Sequence, residues 1–191
     1  MGMGHKGRLL SLLLAACSTV FSTTLEKLAL DDMVLKSTEI VRGRVASVSA
    51  ARRGALILTQ VKVTVTERWK GPEAASVELF LHGGTFQGLR QTFAGTPELR
   101  AGAEYVFFLW AGKSGQRQII GLSQGVMDIQ VARTSGTGSS PKLVAHRAAL
   151  GSMIDPATQQ EVQDQGLSLS LDQLRAKVRQ TLAAAATRER Q

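Results

Sequence analysis

The chain has 191 residues, of which 43% are hydrophobic, 20% charged and 5% aromatic, and its formal net charge at pH 7 is +8. This length suits one domain that can bury a core without disulfides or metals. The few aromatic residues argue against a stacking surface for single-stranded nucleic acid or a rich sugar platform. The scattered positive charge predicts a solvated basic surface and no specific nucleic-acid partner.

The first 22 residues are typical of an export signal. Lys6 and Arg8 precede an apolar run over residues 9–21, which is shorter than the roughly 20 residues of a membrane-spanning helix. Small residues follow the run, and we place cleavage after Ser22, so that Thr23 begins the mature chain. We therefore predict a secreted or periplasmic protein, with no transmembrane span once the signal is removed.

A lipoprotein signal is the alternative reading of the same segment. Leu14, Ala15, Ala16 and Cys17 match the lipobox of bacterial lipoproteins. Cys17 would then be lipidated and would hold the protein on a membrane. If cleavage follows Ser22 instead, the mature chain contains no cysteine, which excludes thiol catalysis and disulfides.

The next part of the chain predicts one short helix followed by several strands. Residues 25–36 have the spacing of apolar residues that is typical of a short amphipathic helix. Alternating and continuous apolar runs, separated by glycine-rich turns, then indicate strands. The predicted strands cover residues 40–48, 61–66, 77–82 and 105–110, an irregular strand covers 86–93, two short strands lie within 118–131, and residues 51–54 form a turn.

The C-terminal part predicts a linker, a last strand and a helix. Residues 134–141 have the composition of a flexible hairpin tip or linker, and residues 142–147 form the last strand. Ser170 and Gln173 have the spacing of a capping box at the start of an amphipathic helix. We thus divide the chain into a signal peptide (1–22), a β-barrel domain (23–148), an irregular connection (149–168) and a C-terminal helix (169–187).

This order of elements predicts a mainly β protein. Five or six short strands at even spacing, with glycine-rich turns and a flanking helix, are best accommodated by a small OB-like antiparallel β-barrel. The short N-terminal helix precedes the barrel. The C-terminal amphipathic helix is expected to pack on it through Leu171, Leu174, Val178 and Leu182.

A series of motifs over roughly residues 25–131 resembles a group of exported bacterial proteins of unknown function. The series comprises Ile40–Val45, Trp69–Gly71, His82–Gly84, Pro97 followed by Gly102, Tyr105–Leu109 and Gly121–Gly125. The barrel of that group looks similar to OB-type and netrin-type, metalloproteinase-inhibitor-like domains. The resemblance implies export and a β-barrel, and it implies no established activity.

One motif points to catalysis. Residues 121–125 satisfy the G-x-S-x-G pattern in which a sharp strand-to-helix turn exposes a serine nucleophile. Asp128 and His146 follow in the order that could complete a triad with Ser123. However, the residues after Ser123 predict a strand, and the chain lacks the alternation of strands and helices found in hydrolases. A glycine-bracketed turn is therefore favoured over a catalytic serine.

Other candidate sites have structural explanations. Glu78 and His82 lie on one face of a predicted strand but lack further ligands, so we predict no metal and no cofactor. Trp69, Phe80 and Trp110 could form part of a ligand platform on an open barrel face, but core packing is the favoured role for each.

We therefore predict an exported, non-catalytic binding or interaction module of the bacterial cell envelope. Its partner would be an envelope protein or a surface glycan. The alternatives are a small serine hydrolase that uses Ser123 and an envelope lipoprotein anchored at Cys17.

Overall fold

A computed structural model describes residues 25–113, 115–132 and 142–190. In this part of the chain the protein is mainly β, as the sequence predicts, with one short and one longer helix. The predicted signal peptide, with Cys17, Ser22 and Thr23, lies outside the described residues, as does the predicted linker over residues 134–141.

The strands and helices follow one another in this order along the chain. They are β1 (Leu25–Glu26), α1 (Leu30–Lys36), β2 (Glu39–Arg53), β3 (Leu56–Lys70), β4 (Ser76–His82), β5 (Gly84–Phe86), β6 (Leu89–Gln91), β7 (Glu104–Ala111), β8 (Arg117–Ile119), β9 (Val126–Val131), β10 (Leu143–Arg147), β11 (Ser152–Ile154), β12 (Glu161–Gln163), β13 (Leu167–Ser170) and α2 (Leu171–Arg188). A short 3-10 helix, Leu122–Gly125, lies between β8 and β9.

Eight strands form one large sheet in the order β13-β10-β9-β7-β2-β3-β4-β8. Strand β8 also pairs with β7, which bends β7, β2, β3, β4 and β8 into a partial ring. The contact that closes the ring is short, because β4 and β8 pair at a single parallel bridge between Leu79 and Arg117.

The sheet is thus not the clear barrel that the sequence predicts. One edge of β7 is divided between two partners: residues 105–107 pair with β9, whereas residues 109–111 pair with β8. The sheet forks at this point and continues through β9, β10 and β13 beyond the ring. With three residues, β8 is too short to form a complete ladder with β4.

Two hydrophobic cores lie on opposite faces of the central strands. The inner core fills the ring and includes Val41, Val63, Leu79 and Phe107. The outer core lies between the sheet and the two helices and includes Phe108. Residues 105–109 of β7 are all buried, because alternate side chains enter the two cores. The strand predicted over residues 105–110 is confirmed, although Trp110 at its end is exposed.

Helix α2 begins as the sequence predicts. The Ser170 hydroxyl accepts a hydrogen bond from the backbone N–H of Gln173, and the Gln173 side chain accepts one from the backbone N–H of Ser170. The predicted apolar stripe packs on the outer core. The predicted N-terminal helix is shorter than expected, since residues 25–26 form β1 and the helix begins at Leu30.

The prediction of an irregular connection over residues 149–168 is wrong at residues 152–154, 161–163 and 167–168, which lie in strands. Strands β11 and β12 form an antiparallel pair, and β11 pairs in parallel with β1, far away in sequence. Strand β13 pairs with β10, so residues 142–147 do not form the last strand. Partners on distant segments supply the hydrogen bonds that this polar sequence does not suggest.

The hairpin of β2 and β3 is longer than the sequence suggests. Residues 51–53, predicted to lie in a turn, continue β2 and pair with residues 56–58 of β3. The turn itself is confined to Gly54 and Ala55, where Gly54 has a φ of 62°. The hairpin therefore projects beyond the ring, and β5 and β6 form a second, smaller hairpin beside it.

Candidate functional site

A solvent-open cleft lies where the β2–β3 hairpin extends past the ring. Its volume is about 320 Å³, which is at the lower end of the roughly 300–1,000 Å³ that small-molecule pockets have. Thr59 and Leu81, opposite one another on β3 and β4, are buried residues of its lining. The β5–β6 hairpin and residues 92–100 contribute most of the remaining lining, together with Val48, His82 and Gly83.

Two glycines bring the chain from β4 across the β2–β3 hairpin. Gly83 and Gly84 have φ values of 90° and 132°, which side chains rarely adopt. A Cβ atom at Gly83 would lie 2.6 Å from the carbonyl oxygen of Gln91, and one at Gly84 would collide with the Thr59 hydroxyl. The close approach of two chain segments thus requires glycine at both positions.

Side-chain hydrogen bonds fix the lining of the cleft. The Thr59 hydroxyl donates to the carbonyl of Gly83 at 2.6 Å. The Gln91 amide oxygen accepts from the backbone N–H of Ile57 at 2.7 Å, and its amino group donates to the carbonyl of Ala55. The small hairpin is thus attached to the tip of the large one. These bonds leave the cleft pre-formed, as small-molecule sites usually are.

The cleft combines a free cation with an ion pair. Arg90 and Glu98 approach to 3.4 Å, and both side chains are well exposed, so their attraction contributes little to stability. The guanidinium of Arg100 has no carboxylate partner in the described parts of the chain. Among the arginines and carboxylates of the cleft, one positive charge is therefore uncompensated.

An aromatic pair and several hydroxyls complete the lining. His82 and Phe93 meet in an edge-to-face arrangement with ring centroids 5.9 Å apart, and Phe93 remains 39% exposed. The hydroxyls of Thr85, Thr92 and Thr96 form no hydrogen bond with other described residues. These groups are free to contact a ligand.

The residues predicted as a catalytic triad are only partly brought together. Asp128 and His146 lie directly opposite one another on β9 and β10. Ser123, in the 3-10 helix, donates its hydroxyl to the carbonyl of Gly95 at 2.7 Å, and its backbone N–H donates to the same oxygen. Within the described residues, no hydrogen bond joins Ser123 to His146.

The turn around Ser123 also differs from a nucleophile elbow. Gly121 and Leu122 both have left-handed backbone conformations, with φ values of 59° and 57°. The turn then leads into β9 rather than into a long helix, whereas an elbow places its serine between a strand and a helix. The geometry favours the glycine-bracketed turn, in which the serine ties the turn to Gly95.

The remaining candidates have local partners. Glu78 accepts a hydrogen bond from Gln60 at 3.1 Å, and His82 packs against Phe93 as described. Trp69 belongs to the outer core and lies under the guanidinium of Arg175, 5.9 Å from the ring centroid. Phe80 is half-buried, whereas Trp110 is 47% exposed on β7. Of these aromatic residues, Trp69 has the core role that the sequence favours.

Ion pairs between distant segments hold the fold together, and sequence reasoning missed them. Buried Glu39 accepts hydrogen bonds from Arg68 at 2.8 Å and from Arg117. Arg175 of α2 pairs with Glu67 of β3 at 2.8 Å. No sequence pattern joins partners that are 78 and 108 residues apart.

Two carboxylates that pair with arginines, Glu67 and Asp164, have lowered pKa values. Burial opposes the charge of Glu67, but hydrogen bonds from Trp69, Arg42 and Arg175 outweigh it and hold the pKa of Glu67 below its usual value. Hydrogen bonds from Arg147 lower the pKa of the Asp164 carboxyl, against the effect of burial. Both groups stabilise the fold when ionised, which marks these pairs as structural.

Among the described residues, no helix is both long and apolar enough to cross a membrane. Comparisons with protein-family models, with curated proteins and with solved structures found no match to this chain. A functional assignment must therefore rest on the site itself.

Proposed function

We propose that the protein is an exported, non-catalytic binding module of the bacterial cell envelope, and that it binds its ligand in the cleft beside the β2–β3 hairpin. The observation that carries the proposal is the combination of a fixed, partly buried lining with unpaired polar groups facing solvent. Thr59 and Gln91 hold the lining together, while Arg100 and three threonine hydroxyls remain available. In binding sites for small molecules, most of the lining is pre-formed and a few placed polar groups contact the ligand.

Export is supported by the sequence of the first 22 residues and by the motif series that resembles exported proteins. The likeness to OB-type barrels is likewise part of the proposal. It is supported by the partial ring of five strands, although that ring is joined by the short β8. The partner class, an envelope protein or a surface glycan, follows from the proposed location.

The proposal is tested by crosslinked affinity capture from the native envelope and medium, with the cleft open or filled. Thr92→Trp places a large side chain at an exposed position in the lining. Thr64→Trp, at an exposed position on β3 outside this cleft, is the matched control. We expect wild type and Thr64→Trp to retain the same envelope component and Thr92→Trp to lose it.

Two outcomes would contradict the proposal. Equal capture by all three proteins would place binding elsewhere on the surface. An ester-hydrolysing activity that disappears in Ser123→Ala but persists in Thr92→Trp would assign the function to the catalytic alternative.

A further inference from the structure

The charge of the cleft restricts the ligands that it can accept. The ionisable side chains of its lining are His82, Arg90, Glu98 and Arg100. Arg90 and Glu98 compensate each other, so Arg100 gives the lining a net positive charge. A guanidinium prefers a carboxylate or another planar or tetrahedral oxyanion. The ligand should therefore carry a negative group.

The apolar part of the lining is small and includes one exposed aromatic ring. Phe93 presents this ring, and the contact with His82 limits the ways in which the Phe93 ring can turn. A single ring offers a flat surface for one cyclic ligand unit. The C–H face of a sugar ring is such a unit, and the volume of about 320 Å³ suits one sugar rather than a long chain.

The hydrogen-bonding groups of the cleft favour a hydroxyl-rich ligand over a peptide strand. An added strand needs free backbone N–H groups along an edge. Here the backbone N–H groups of Ile57, Gly83 and Thr96 already donate to Gln91, to Ile57 and to Phe93, respectively. The hydroxyls of Thr85, Thr92 and Thr96 form no hydrogen bond with other described residues, and hydroxyls both donate and accept.

We infer that the cleft binds one acidic sugar unit, with Arg100 pairing with its carboxylate, Phe93 contacting its ring and the threonines binding its hydroxyls. The inference rests on the proposed function and names its ligand class. It also agrees with the low aromatic content of the chain, because a single unit needs only one aromatic contact.

The test is a titration of the full chain followed by ¹H–¹⁵N NMR. Methyl β-glucuronide is the probe, methyl β-glucoside is the neutral sugar of the same shape, and acetate is the bare anion. We expect the glucuronide to shift the amide signals of residues 82–100. The glucoside should bind about fivefold more weakly than the glucuronide. Acetate should also bind more weakly than the glucuronide. For the glucoside, loss of one exposed charge pair corresponds to about this factor, whereas acetate keeps the charge and loses the ring and hydroxyl contacts.

Variants separate the two contacts. Arg100→Gln should weaken glucuronide binding about fivefold and leave glucoside binding unchanged. Arg179→Gln, which removes an exposed arginine of α2 outside the cleft, is the matched control and should change neither. Phe93→Ala should weaken the binding of both glucuronide and glucoside. The dispersion of each variant's spectrum shows whether it is folded.

The inference is overturned if glucuronide shifts no cleft amide, if acetate binds as well as glucuronide, or if Arg100→Gln binds glucuronide as wild type does. If envelope capture still depends on the cleft in those cases, only the ligand class is wrong. If capture is also unaffected by Thr92→Trp, the proposed function fails as well.

Discussion

Replacing Glu39 with glutamine should destabilise the protein severely. Glu39 is 3% exposed, and its carboxylate accepts from Arg68, whose side chain is 4% exposed, and from Arg117, whose side chain is 30% exposed. Glu39→Gln keeps the size of the side chain but removes its charge. Arg68 then remains buried without a counter-charge, because its other hydrogen bond is to the carbonyl of Ala74.

The expected loss follows from the burial of the pair. Breaking a buried ion pair by removing one partner costs about 3–5 kcal/mol, since the other charge stays desolvated. Arg117 can turn toward water, which favours the lower part of that range. Because small domains have free energies of unfolding of about 5–15 kcal/mol, a large fraction of the stability would be lost.

The measurement is the free energy of unfolding from urea titration, followed by circular dichroism. Glu73→Gln, at an exposed position, is the matched control and should change the stability by less than about 0.5 kcal/mol. The double variant Glu39→Leu/Arg68→Met should be more stable than Glu39→Gln, because it leaves no unpaired charge in the interior. A Glu39→Gln protein within about 1 kcal/mol of wild type would refute the assignment of a buried, mutually dependent pair.

Three further predictions concern other parts of the fold. Asp164 has a lowered pKa in the folded protein, so its contribution to stability is present above about pH 4 and is lost as the pH falls through the folded-state pKa. Asp164→Asn should therefore be less stable than wild type at pH 7 and should lose less stability on acidification. Urea titration at several pH values measures both effects. Gly43→Ala would place a Cβ atom 2.6 Å from the carbonyl oxygen of Thr64 and should cost about 1–3 kcal/mol, whereas an unchanged midpoint of unfolding would show that β2 and β3 can separate without cost. Ser170→Ala removes the N-cap of α2 and should cost about 1 kcal/mol, whereas Ser170→Asp should largely preserve the stability.

Local features of the fold were predictable from sequence because their causes lie within a few residues. The capping box at Ser170 and Gln173 requires only its own spacing. The run over residues 105–109 is apolar on both faces because each face packs against a core. The strand pattern likewise indicated a mainly β protein.

The closure of the sheet depends on distant partners and could not be predicted. No local signal shows that β7 divides one edge between β8 and β9, so the same strands were compatible with a clear barrel. The ladder of β11 with β1 joins Met153 to Leu25. Its polar surroundings gave no indication of that pairing.

The candidate cleft is a consequence of the same distant contacts. Gln91 becomes part of the lining only because its side chain reaches the backbone of Ile57. The charge of Arg100 stands out only once Glu98, the carboxylate of the cleft lining, is known to pair with Arg90. The G-x-S-x-G motif, in contrast, was visible in the sequence, yet its serine is hydrogen-bonded to Gly95.

Site-specific photo-crosslinking tests the central claim, that this cleft is the binding site, most directly. A benzoylphenylalanine residue would replace Phe93 in one protein and Leu35 in another; the two positions are similarly exposed at 39% and 43%, and Leu35 lies on α1. After irradiation with native envelope material, we predict that the protein labelled at position 93 forms a defined adduct, detected by mass spectrometry, and that the protein labelled at position 35 does not. Equal adducts at both positions, or an adduct at position 35 alone, would contradict the assignment of the cleft as the binding site.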